Sequence, residues 1–215
     1  MFPGEIGQAN YFSGDVVLPH DPGRAIKVGD YISDNGAYTW RDIEGQITKR
    51  GVGSNDPTWS QIGATVFYAY KFALLDEIWM HYHIPHDFLP GSAVHFHAHW
   101  IPDGTATENV TWEWTYAYAK GMGQEAFAFG SPSTVTATQA ATGTQYSHMV
   151  TESIAQMDGV ITEPDGGIYA RIRRISNEQS PVADNTDGIF VTTFDVHYQS
   201  TNIGTKQKAP GFYDE

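Results

Sequence analysis

Cysteine is absent from the 215 residues. No disulfide framework, thiolate metal site or cysteine nucleophile can be built from this chain. Basic residues are scarce: 12 Lys and Arg stand against 25 Asp and Glu, for a net charge of −13. Binding a phosphate backbone needs a basic footprint, so a nucleic-acid partner is excluded. No run approaches the ~18 apolar residues of a membrane span, so no membrane partner is expected. The opening stretch MFPGEIGQANYFSGD has neither a basic n-region nor an apolar h-region and does not read as a secretory signal. The sequon Asn109-Val110-Thr111 then has no secretory context and reads as chance. The common catalytic signatures are missing too: no G-x-S-x-G elbow, P-loop, HExxH or GxGxxG. A helical period sustained over ten residues is also lacking, with Val150–Met157 the nearest approach.

What is present points to β-structure. Aromatic residues make up 13% of the chain, and 22 Gly and 11 Pro punctuate it. Apolar runs rich in aromatic and β-branched residues, separated by turn signals, read as strands. They fall at Ala64–Lys71, Glu77–Ile84, Ala93–Ile101, Val110–Lys120, Ser133–Ala140, Tyr146–Ile154, Ile168–Ile175 and Ile189–Tyr198. One shorter strand is expected near Tyr38–Trp40. Both faces of the long strands carry substantial side chains. Val110, Trp112, Trp114, Tyr116 and Tyr118 share one face, and Phe190, Thr192, Phe194, Val196 and Tyr198 another. The expected fold is all-β, a jelly-roll β-sandwich of about eight antiparallel strands with an extended N-terminal arm. The arm covers residues 1–30, where Pro3, Pro19, Pro22 and several glycines leave only short apolar runs. The body covers 31–215. Arg171, Arg173 and Arg174 form the single basic cluster and read as a charged strand face paired with surplus carboxylates.

The stretch HYHIPHDFLPGSAVHFHAHW, His81–Trp100, holds six of the nine histidines. His95, His97 and His99 share one face of their strand, with Val94, Phe96, Ala98 and Trp100 opposite. His81 and His83 share a face with Glu77 and Trp79. Imidazole is the commonest transition-metal ligand, so such rows invite a metal reading. The sharpest version is a cupin motif, His-x-His followed by an acid. Here His97-Ala98-His99 is followed by Asp103, an Asp where Glu is wanted, in a turn. A structural role is the stronger reading, because histidine suits a packed polar face or a subunit interface. No catalytic residue, metal ligand or cofactor is assigned on the sequence. The candidate interface or structural residues are His81, His83, His95, His97, His99, Trp100, Trp112, Trp114, Asp195 and His197. Histidines packed neutral at an interface would weaken an assembly as pH falls from about 6.5 toward 5.

An ordered series of local patterns carries a resemblance. It runs Trp40-Arg41-Asp42, Asp56-Pro57-Thr58-Trp59, His83-Ile84-Pro85-His86-Asp87-Phe88, Gly91-Ser92 and His97-Ala98-His99-Trp100. It continues with Asn109-Val110-Thr111-Trp112, Tyr116-Ala117-Tyr118-Ala119, His148 and Phe194-Asp195-Val196-His197-Tyr198. Over about residues 38–200 the chain resembles a family of tailed-bacteriophage virion proteins similar to jelly-roll capsid decoration, or cement, proteins. The resemblance implies a non-enzymatic homotrimer at local or true three-fold axes of the outer capsid surface. It also implies the major capsid protein as partner and synthesis in the host cytoplasm. Two other readings stand beside it: a carbohydrate- or receptor-binding jelly-roll adhesin or tail component, and a cupin-like metal-dependent enzyme.

Overall fold

A computed structural model describes residues 38–49, 55–153, 157, 161–176, 183–201, 204–205 and 207–212. The expected arm, residues 1–30, lies outside them. Eleven strands are present among the described residues: β1 Thr39–Glu44, β2 Gln46–Thr48, β3 Thr58–Gln61, β4 Tyr68–Phe72, β5 Glu77–His83, β6 Val94–Pro102, β7 Asn109–Ala119, β8 Ser133–Ala140, β9 Met149–Glu152, β10 Gly167–Ile175 and β11 Ile189–Ser200. No helix among them is long and apolar enough to cross a membrane.

Two antiparallel sheets face each other. One runs β3-β4-β11-β6-β9, with β1 also on β11, and the other runs β2-β5-β10-β7-β8. Stripped of the first three strands, the orders are β4-β11-β6-β9 and β5-β10-β7-β8. The chain therefore passes back and forth between sheets, with one hairpin, β7–β8, staying within one. That connectivity is the jelly roll. Each of the eight strands read from the sequence is found, with ends shifted by up to a few residues in either direction. The strand expected near Tyr38–Trp40 is β1. The short strands β2 and β3 escape a reading by pattern because they alternate weakly and lie in turn-rich sequence. Val150–Met157, the nearest approach to a helix, opens instead as strand β9.

The core lies between the sheets. Phe96 of one sheet stacks on Trp114 of the other at 5.7 Å with an 11° angle between rings. Trp112 reaches across to Phe72 and Phe194 at 5.4 and 5.1 Å, edge to face in both cases. Trp100, Trp112 and Trp114 are completely buried. All three belong to the core between the sheets and not to its outer surface. In β11 the expected face breaks. A β-bulge at Thr192 places Val191 opposite Trp100 but Thr193 opposite His99. The extra residue reverses the alternation. Ile189 and Val191 point inward before it, and Phe194, Val196 and Tyr198 after it. Phe190 leaves the core and is covered instead by the Lys71 ammonium, 5.3 Å above its ring.

Gly45 joins β1 in one sheet to β2 in the other. A Cβ there would lie 2.7 Å from the Tyr82 ring and 2.9 Å from Met80. Only glycine lets the chain cross so close to the core. The opposite end of β1 is held by Asp87, which accepts hydrogen bonds from Tyr198 Oη at 2.9 Å and Ser200 Oγ at 2.6 Å. Arg41 approaches the same carboxylate at 2.8 Å. Burial pushes the Asp87 carboxyl up, but the hydrogen bonds from Ser200 and Tyr198 and the Arg41 charge outweigh it and hold it below the usual carboxylate range. A lowered folded value means stability that is present above the unfolded value near pH 3.8 and is lost as pH falls through the folded one. Asp87→Asn should therefore lower Tm at pH 7 and flatten its acid limb below pH 4. Thermal melts between pH 2.5 and 7 test this; an unchanged acid limb would place the titration elsewhere.

Candidate functional site

The outward face of the β1-β11-β6-β9 sheet gathers most of the histidines. Three registers do this. β1 beside β11 puts Asp42 opposite His197 and Glu44 opposite Asp195. β11 beside β6 puts Asp195 opposite His97 and His197 opposite His95. β6 beside β9 puts His97 opposite Glu152. Alternation aims these side chains away from the core, because Val94, Phe96, Ala98 and Trp100 take the inward positions.

The result is a compact histidine and acid cluster. His197 lies between two carboxylates, with Nδ1 2.6 Å from Glu152 and Nε2 2.7 Å from Asp42. His97 Nδ1 is 3.4 Å from Asp195 Oδ2, and His99 Nε2 is 3.5 Å from Asp195 Oδ1. The His97 and His197 rings are 4.0 Å apart. His99 Nδ1 meets His148 Nε2 at 3.0 Å. His95 turns to the Ser153 carbonyl, 2.9 Å from its Nδ1, and packs on the half-exposed Trp40 ring. Burial pulls His99 below the ordinary histidine range, and His97 and His148 add to this against the opposing charges of Asp195 and Asp42. For this residue the environment has the direction expected of an imidazole packed neutral. His197 has an acid against each of its two ring nitrogens.

His81 and His83 are elsewhere, on the outward face of the other sheet. His81 packs at a tilt against Tyr169 at 4.3 Å, and burial with the nearby His83 pulls it below the ordinary range. His83 Nε2 is 2.8 Å from Asp165. Phe127 and Phe129, from the β7–β8 connection, close over Tyr169 at 5.0 and 5.8 Å. Gly167 makes room for this, since a Cβ there would lie 3.0 Å from His81 and 3.1 Å from Phe127. The cupin set is not assembled, because Asp103 pairs with Lys71 and not with His97 or His99.

Sequence reasoning placed His95, His97, His99, Asp195 and His197 among the candidates, but as two unrelated strands. It missed Asp42, Glu152 and His148 as members of one cluster. Asp42 was visible only inside the Trp40-Arg41-Asp42 pattern, and Glu152 only as one acid among many. Strand pairing between residues 55 to 155 positions apart is what joins them.

No protein-family model matches the chain, and no curated protein matches it. Among solved structures, the carbohydrate-binding module TmCBM61, determined in complex with β-1,4-galactotriose, is similar over 80% of this chain and 98% of that one, at 11% identity and a TM-score of 0.27. At that score the likeness carries no argument about function.

Proposed function

We propose that this chain is a non-enzymatic component of a phage virion, a jelly-roll decoration protein that sits on the outer capsid surface as a homotrimer and binds the major capsid protein. The observation that carries the reading is an apolar ribbon at one edge of the sandwich. In the β3–β4 hairpin, Trp59 is 59%, Val66 84% and Phe67 68% exposed, and Tyr68 stands half exposed beside them. Trp59 stacks on Tyr68 at 6.3 Å and meets Tyr70 edge-on at 4.9 Å, so the ribbon is an ordered surface. Exposed rings on an edge strand make a template for association, and a lone soluble monomer rarely leaves such an edge uncovered. The motif order from Trp40 to Tyr198 supplies the virion part of the reading.

Analytical ultracentrifugation at micromolar concentration should find a trimer, and Trp59→Ala with Phe67→Ser should shift it toward monomer or abolish capsid attachment. A wild-type chain that stays monomeric and absent from purified particles by mass spectrometry would end the proposal. One observation favours a second reading, a carbohydrate-binding jelly roll: Phe129 and Tyr169 are exposed beside Phe127, and flat rings can stack on sugars. Glycan binding lost in Tyr169→Ala but kept in Trp59→Ala would favour that reading.

A further inference from the structure

We propose that His97, Asp195 and His197 form a binding site for a first-row transition-metal divalent cation, of which Zn²⁺ is the natural probe. The proposal is independent of what the chain docks onto. It reverses the expectation, drawn from the sequence alone, that the histidine rows bind no metal.

Ring nitrogens of His97 and His197 and a carboxylate oxygen of Asp195 all lie within 4.8 Å of one another. Asp195 decides how they are read. Its side chain is only 4% exposed, and its Oδ1 accepts no hydrogen bond from the described residues. A carboxylate removed from water in this way needs a cation or good donors. The groups around it are imidazole nitrogens at 3.4, 3.5 and 4.0 Å. Charge-assisted hydrogen bonds to a carboxylate are shorter, about 2.7–2.9 Å. The observed separations suit a different geometry. Ligands about 2.1 Å from one ion stand roughly 3.0–3.4 Å apart along the edges of an octahedron or tetrahedron. His97 Nδ1 and Asp195 Oδ2, at 3.4 Å, already have such an edge. His197 Nε2, 4.0 Å from Asp195 Oδ2, needs to close on it by about half an ångström, a side-chain shift open to a half-buried imidazole.

The surroundings complete the set. Metal-bound histidine usually donates its other ring N–H to a carboxylate, which fixes the tautomer. Glu152 is in that position, 2.6 Å from His197 Nδ1. His197 Nε2 then carries its lone pair toward Asp195 and toward Asp42 Oδ1, 2.7 Å away. Two acids face that one nitrogen, and an ion placed between them would serve Asp42 and Asp195 together. Asp42 can supply a further oxygen ligand. Two imidazoles and a carboxylate, with no thiolate, suit Zn²⁺, Fe²⁺ or Mn²⁺, and are poor for Ca²⁺ and Mg²⁺, which take oxygen ligands. The ion would tie β6 to β11 across the middle of one sheet and draw in β1 through Asp42.

The test uses the full chain, stripped with EDTA and exchanged into metal-free buffer. Isothermal titration with ZnCl₂ should show one ion per chain. Tm should rise by roughly 5–10 °C at a hundredfold excess over Kd. Ca²⁺ and Mg²⁺ should leave it unmoved. Co²⁺ loading should give visible d–d bands that Zn²⁺ displaces. His197→Ala and Asp195→Asn should weaken Zn²⁺ binding at least a hundredfold. Glu152→Gln should weaken it about ten- to a hundredfold. His83→Ala, which alters the other sheet, should have no effect. If Asp195→Asn fails to fold, His97→Gln judged by circular dichroism without metal carries the comparison. No saturable uptake by the wild type overturns the proposal. So does uptake that survives His197→Ala or disappears in His83→Ala, because the ion would then sit on surface histidines elsewhere.

Discussion

Arg174→Met should cost the fold about 3–5 kcal/mol, the range for removing one partner from a buried charged network. Arg174 is 3% exposed. Its guanidinium donates to three backbone carbonyls: Phe72 at 2.9 Å, Asp187 at 2.8 Å and Asn185. Those carbonyls belong to β4 and to the loop before β11, so one side chain fastens the entry of the jelly roll to its last strand. Burial draws the guanidinium down to about 10, against the pull of Asp184, Asp187 and Asp76, and it remains charged at neutral pH. Asp76 is buried beside it. Burial raises its carboxyl above the usual range, and the Ala73 N–H and the Arg174 charge offset this only in part. Removing the cation strands both the carbonyls and that acid. Methionine fills the volume and supplies no donor. Urea denaturation should show a lower midpoint at unchanged slope. Arg174→Lys should fall between, since an ammonium keeps the charge but cannot span three carbonyls in the plane of a guanidinium. A loss under about 1 kcal/mol would mean that water takes over the three acceptors.

Trp112→Ala should cost a similar amount, about 3–5 kcal/mol, through the cavity it leaves between the sheets. Its ring is the bridge from β7 to Phe72 and Phe194, and both partners are fully buried. Trp112→Phe should cost much less, about 1–2 kcal/mol, for a specific reason. The indole Nε1 of Trp112 has no hydrogen-bond partner among the described residues. Phenylalanine loses volume but also removes a buried donor that satisfies nothing. Trp100 is the control: its Nε1 donates to Thr151 Oγ1 at 2.8 Å, so Trp100→Phe forfeits a real bond. The two Trp→Phe variants should therefore differ in chemical denaturation, Trp112→Phe being the milder. Equal losses would show that packing alone governs both sites.

Local pattern was enough for the strands and their faces. Period-two alternation in β6 and β7 separates Val94, Phe96, Ala98 and Trp100 from the histidines, and Trp112 and Trp114 from Glu113 and Thr115. That depends only on backbone geometry and the cost of exposing apolar area, and both are written in neighbouring residues. Where pattern failed, one extra residue or one odd position was responsible. Thr192 reverses the phase of β11 because a bulge leaves little trace in composition. Arg174 sits in a run of three basic residues and reads as surface, yet alternation turns Arg171 toward Glu113 and sends Arg174 inward. A cation at an inward position is tolerable only where backbone carbonyls converge, and that convergence belongs to two distant loops.

The histidine and acid cluster was decided by tertiary structure alone. The sequence by itself determined that His95, His97 and His99 share a face, and that Asp195 and His197 share another. It could not place those faces side by side, because antiparallel pairing of β6 with β11 joins residues almost a hundred positions apart. Nor could it bring in Asp42 and Glu152, which arrive on the short strands β1 and β9. Residue types and alternation are local properties. Register between distant strands is set by how the two sheets bury their common core, and the chemistry of the outward face follows from that register.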